Sequence, residues 1–164
     1  MRRRPRDFLL SPELLAGVAV LALNDRILKR AFPGLVTGKL SDAAGLLFLP
    51  LFIAALVSLL EPAIPSISSR TRIRVFSAIT AAVGLTFIFM KTTATGAETY
   101  RFTNSMIEWP FLAAKSLISG ESPWWWPETS IVRDPTDLFV LPVLLLSWAA
   151  GVRILRRGSH KSPS

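Results

Sequence analysis

Four apolar stretches punctuate the chain: Phe8 to Leu23, Ala43 to Leu60, Val75 to Met90 and Leu138 to Val152. Each holds 15 to 18 residues. At about 1.5 Å per residue the shortest reaches about 22 Å, less than the roughly 30 Å of a hydrocarbon core. The helices must therefore run on into their polar flanks. The pattern predicts an all-α polytopic membrane protein of four transmembrane helices, at about 8–24, 41–60, 75–91 and 137–153, plus one interfacial or re-entrant helix. Residues 1–7 form a basic N-terminus, 8–153 the membrane domain and 154–164 a basic tail.

Between the third and fourth spans lies the only long connection, an outer loop over 92–133. A connection of this size usually has structure or function of its own. Ile107 to Ile118 has helical apolar spacing, punctuated by Glu108 and Lys115, and is too short to span. Trp124, Trp125 and Trp126 follow between prolines. They suit the headgroup zone, with a sugar- or lipid-stacking platform as the functional alternative. Pro50 and Pro142 fall at comparable depths in spans two and four, and each is expected to bend its helix unless it is simply tolerated there.

Composition agrees with the pattern. The chain is 51% hydrophobic with mean hydropathy +0.44 and only 18% charged residues, too apolar for an ordinary soluble domain. With no cysteine, disulfides, thiolate metal sites and cysteine nucleophiles are excluded. The first stretch behind MRRRPR also has the layout of a signal peptide, but no small-x-small cleavage site follows it, so a retained span is expected.

Charge sets the orientation. With four spans, both termini and the 61–74 loop share one side, which carries eleven basic and three acidic residues; the other carries eight of each. The whole net charge of +8 thus lies on one face, which the positive-inside rule assigns to the cytoplasm. The expected location is the bacterial inner membrane with both termini cytoplasmic. The arginines flank spans, so membrane lipids are the expected partner of this charge and nucleic acid is not.

The outer face gathers the candidate chemistry. Asn24 and Asp25 end span one; Lys39, Ser41 and Asp42 open span two; Lys91 ends span three; Glu98, Asn104 and Glu108 follow; Arg133, Asp134 and Asp137 open span four. Ionisable groups beside a membrane span are costly and mark functional sites by default. Asp134 before Pro135 reads as a helix cap, and Asp42 after Ser41 has the same explanation. One acceptor caps a helix, so Asp137 is the residue that capping explains worst. In one reading, Lys39, Lys91 and Arg133 pair with Asp42, Asp134 and Asp137 as a structural ion network. In the other, the groups converge in one pocket for a polar headgroup or cell-wall precursor. Asp137 or Asp42 is then the catalytic base, and Asn24, Asp25, Lys39, Lys91, Glu98, Asn104, Arg133 and Asp134 are binding residues. Whether the protein is an enzyme stays open at this point. No cofactor is expected. Zinc and a Ser–His–Asp triad are disfavoured because the sole histidine, His160, sits in the tail on the opposite face, and TGKLSD lacks the upstream glycine of a phosphate loop. An oxygen-ligated divalent ion stays open. A noncatalytic accessory subunit with a membrane-protein partner is the main alternative; a proton-coupled transporter is weaker, with no ionisable residue at mid-span and no inverted repeat.

The layout resembles the VanZ-like family of bacterial membrane proteins. The resemblance rests on GKLSDAAGLLF with Lys39 and Asp42, the segment around Glu98, and RDPTDLFVLP with Arg133, Asp134 and Asp137. It implies four spans and a cell-envelope role associated with glycopeptide resistance. The family's histidine early in span two is absent, Asn104 stands at best for its glutamine, and its Asn–x–x–Gly pattern in the last span is missing. LND, TGKLSDAAG and DPTDL look more like a distinct bacterial membrane family than a typical VanZ member.

Overall fold

Ser11 and Pro12 divide the first apolar stretch. Pro12 has no amide hydrogen to donate, and the Ser11 side chain accepts from the Leu14 amide at 3.3 Å, so a new helix starts there. The computed structural model describes residues 6–32, 34–60, 68–120 and 133–157. In order, these form α1 (Arg6–Leu9), α2 (Pro12–Leu23), a π-helical turn (Asn24–Leu28), α3 (Lys29–Ala31), α4 (Leu35–Leu60), α5 (Ser69–Thr92), α6 (Ala94–Ser119), a 3₁₀ helix (Pro135–Val140) and α7 (Val143–Arg157). No strand occurs among the described residues. The tryptophans at 124–126, the 61–67 loop segment, residues 1–5 and His160 lie outside them.

Among the described residues, three helical runs are long and apolar enough to cross a membrane: Val36–Leu60, Ser69–Thr92 and Pro135–Arg157. The second, third and fourth apolar stretches fall inside them. The first does not form a run of that kind. Its α2 is 12 residues, about 18 Å, although helical backbone continues through the π turn to Ala31.

The described residues divide into two compact units, one from 1–85 with 139–164 and the other from 86–138. In the first, α4 is the central element, with α1, α2 and α7 packed on it. Small residues permit the approach. A Cβ on Gly17 would lie 2.9 Å from Phe48 Cβ and 3.1 Å from the Ala44 carbonyl, so α2 and α4 meet almost backbone to backbone. Gly151 of α7 leaves room for the Phe76 ring of α5, whose atoms would be 2.1 Å from an added Cβ. Phe8, Leu14, Leu51, Ala54, Ala55, Phe76, Ala150, Val152 and Leu155 make the apolar core, with Phe8 and Phe76 ring centroids 6.3 Å apart. Polar pairs edge it: Trp148 Nε1 donates to Ser77 Oγ at 2.9 Å, and Arg153 pairs with Glu13.

The helices treat their prolines differently. α4 continues through Pro50, which is buried, whereas at Pro142 the fourth segment changes form: 3₁₀ before it, α-helix only from Val143.

In the second unit, a single residue, Thr93, separates the end of α5 from α6. Its Oγ1 donates to the Phe89 carbonyl at 2.8 Å and accepts from the Gly96 amide at 2.9 Å, closing one helix and opening the next. Gly96 is required there, since a Cβ would meet the Phe89 carbonyl oxygen at 2.2 Å. Much of the expected outer loop is therefore helix. The predicted 107–118 segment is the second half of the 26-residue α6, which ends at Gly120 in the left-handed conformation that glycine adopts without strain.

Candidate functional site

The polar residues fall into two groups, one in each unit. In the first, Asn24 opens the π turn and is fully buried. Its Nδ2 donates to the Thr37 carbonyl and to Ser41 Oγ, both at 2.7 Å, tying the end of α2 to the first turns of α4. Ser41 Oγ donates onward to Asp25 Oδ1 at 3.0 Å, and Asp25 pairs with Lys29 at 2.7 Å. The Lys29 ammonium holds the Asp25 carboxyl below its ordinary range, with the Ser41 hydroxyl adding to the effect against partial burial. Thr37 fixes the start of α4: its Oγ1 donates to the Gly34 carbonyl at 2.9 Å. The remaining acceptor of the group, Asn24 Oδ1, is buried and has no hydrogen-bond partner among the described residues.

Lys39 and Asp42, both half-buried, lie on the same turns of α4 as Thr37 and Ser41. The capping role expected for Asp42 is not what the structure shows. α4 begins at Leu35, so Asp42 is two turns inside it. Hydropathy marks where residues become apolar, whereas Val36, Lys39 and Leu40 extend helical backbone well before that point.

In the second unit Lys91 Nζ and Asp137 Oδ2 are 2.6 Å apart, with side chains only 8% and 10% exposed. The ammonium also stands 5.6 Å from the centroid of the Phe87 ring, within cation–π range. Asp134 takes the capping role predicted for it, accepting from the Thr136 amide at 2.8 Å and the Thr136 hydroxyl at 2.7 Å. The helix it opens is 3₁₀, so Asp134 and Asp137 stand one turn apart along its side. Asp137, left over by capping, is the residue that meets Lys91. On α6, Asn104 Nδ2 donates to Glu108 Oε1 at 2.6 Å, while Glu98 is exposed, as is Arg133 ahead of the 3₁₀ helix.

No family model, no curated protein and no solved structure matches the chain. The two groups thus speak through their own geometry. The first offers a buried acceptor beside a carboxylate and hydroxyl; the second is a desolvated ion pair. No group of three or more histidine, aspartate or glutamate side chains suited to a metal ion occurs among the described residues. The π turn is not predicted by the sequence pattern. The only sequence signal was the juxtaposition of LND with TGKLSD, since single-turn π segments leave no hydrophobic periodicity to read, although they are frequent at functional sites.

Proposed function

We propose that this is a four-span envelope protein of the bacterial inner membrane, with both termini cytoplasmic, related to VanZ-like proteins. Its polar groups at the outer face bind a lipid headgroup or cell-wall precursor and act on it by carboxylate acid/base chemistry. The span added to the three membrane-length helices is the first apolar stretch, at about 8–24, beyond which helical backbone continues to Ala31. Asp137 or Asp42 is the base, and Lys39 or Arg133 holds an anionic group of the ligand.

The observation that carries this reading is the buried, unpartnered Oδ1 of Asn24. Leaving such an acceptor unmade costs about 1–3 kcal/mol, and native structures contain few. A ligand donor arriving at this cluster would satisfy it. A second reading, a noncatalytic accessory or assembly subunit, is favoured by the Lys91–Asp137 pair, which satisfies its charges internally.

Asp42→Asn and Asp137→Asn, each assayed for membrane abundance and for an envelope phenotype such as antibiotic sensitivity, separate the two. The expected outcome is loss of phenotype at normal abundance for Asp42→Asn. Loss of abundance in both variants would favour the structural network. Normal abundance and phenotype in both would end the site hypothesis.

A further inference from the structure

The C-terminal half of α7 carries a groove of about 360 Å³ lined by Trp148, Ala149, Val152, Arg153, Arg156 and Arg157. These positions follow one another at helical spacing, so they form a single stripe about 14 Å long. The stripe is ordered by polarity. The surface of the groove itself is almost wholly apolar, supplied by Trp148, Ala149, Val152 and the arginine stems, and the guanidinium groups stand outside it. Trp148 is fixed by its bond to Ser77, so the indole forms a rigid wall. Arg153 is neutralised by Glu13. Arg156 and Arg157 have no carboxylate partner among the described residues, and they project from the last turn of a helix that has just left its apolar segment.

We infer that this stripe is a binding site for one anionic glycerophospholipid, its phosphate held by Arg156 and Arg157 and the upper part of an acyl chain lying against Trp148, Ala149 and Val152. The polarity along the stripe matches that of the lipid, apolar then anionic. Guanidinium groups suit phosphate because their planar fork donates two parallel hydrogen bonds, and they shed water more readily than an ammonium. Arginines that merely snorkel to the interface would need no groove. Here an open apolar groove lies along the helix face that ends in the two arginines, which suits a lipid bearing both a chain and a net negative headgroup. This site is separate in sequence and chemistry from the polar groups assigned above, and it holds whichever reading of those groups is right.

Native mass spectrometry of the full chain, released from bilayers with equal phosphatidylglycerol and phosphatidylcholine, tests this. At about 1 kcal/mol per arginine near an anionic surface, the two residues give roughly thirtyfold preference for the anionic lipid. Arg156→Gln/Arg157→Gln should bring that preference to about twofold or less, and each single substitution should lower it about fivefold. Ala149→Trp, which fills the groove and leaves the charge unchanged, should reduce retention of both lipids. Equal retention of the two lipids by the unmodified protein would overturn the site. So would an undiminished preference in the arginine variants, the single ones serving if the double variant does not accumulate, or undiminished retention in Ala149→Trp.

Discussion

Removing one partner of the Lys91–Asp137 pair should damage the protein far more than removing both. The pair is 2.6 Å apart and about nine-tenths buried, so each charge has lost most of its water and has the other as a close counter-ion. Breaking such a pair leaves a buried charge without its nearest counter-ion and costs about 3–5 kcal/mol. For a chain of this size, about 2–4 °C of melting temperature per kcal/mol puts Lys91→Met or Asp137→Leu roughly 6–20 °C below the parent. The double variant Lys91→Met/Asp137→Leu removes both desolvation penalties and keeps apolar volume, so it should melt within about 3 °C of the parent. Thermal unfolding in detergent, followed by fluorescence-detected size exclusion, measures all four proteins. Single variants that lose less than about 2 °C, or a double variant whose loss is the sum of the two, would refute the argument. The same double variant sharpens the functional test. If its abundance is restored and the envelope phenotype returns, the pair is structural; if the phenotype stays lost, the charges act on a ligand.

Gly151→Ala forces a methyl group to within 2.1 Å of the buried Phe76 ring and should destabilise by about 1–3 kcal/mol, whereas Gly45→Ala, with nothing within 4 Å, should be neutral or slightly stabilising by helix propensity; equal melting temperatures for the two would contradict the packing described. Asp25 has a folded-state pKa below its unfolded one, so its contribution is fully present above the unfolded value and fades as pH falls through the folded value. The melting-temperature gap between parent and Asp25→Asn should accordingly stay constant from about pH 8 to 5 and shrink below about pH 4; a gap that changes across the neutral range would rule this out. Reporter fusions at Arg74 and Ser122 should report cytoplasm and exterior respectively, and the reverse result would discard the four-span orientation.

What the sequence made legible follows from which forces are local. Three of the four apolar stretches lie within membrane-length helices because hydrophobic runs of that length have few other folds. Asp134 was readable as a cap because capping depends on the next few residues. Asp42 was misplaced because helix starts are set by backbone propensity and by groups such as Thr37, not by where apolar residues begin. The charges of Lys91 and Asp137 were visibly complementary, but their pairing over 46 positions is a tertiary fact. α6 was read as a loop with a short helix because Glu98, Arg101 and Glu108 interrupt its hydropathy without interrupting its backbone.

The π turn at Asn24–Leu28 has a consequence for how this chain tolerates length changes. An α-helix advances about 100° per residue, so one additional residue would rotate everything after it by that amount unless a wider i→i+5 turn absorbs it. Upstream, Leu14 and Gly17 keep α2 seated on α4; downstream, Lys29 is brought back over Asp25. Deleting one residue between Arg26 and Leu28 would leave a regular helix with Lys29 three residues from Asp25 and still beside it, whereas a deletion inside α2 would turn part of its packed face away from α4. The turn works as a length buffer inside one helix, so a register difference near LND need not disturb the packing of the residues upstream of it.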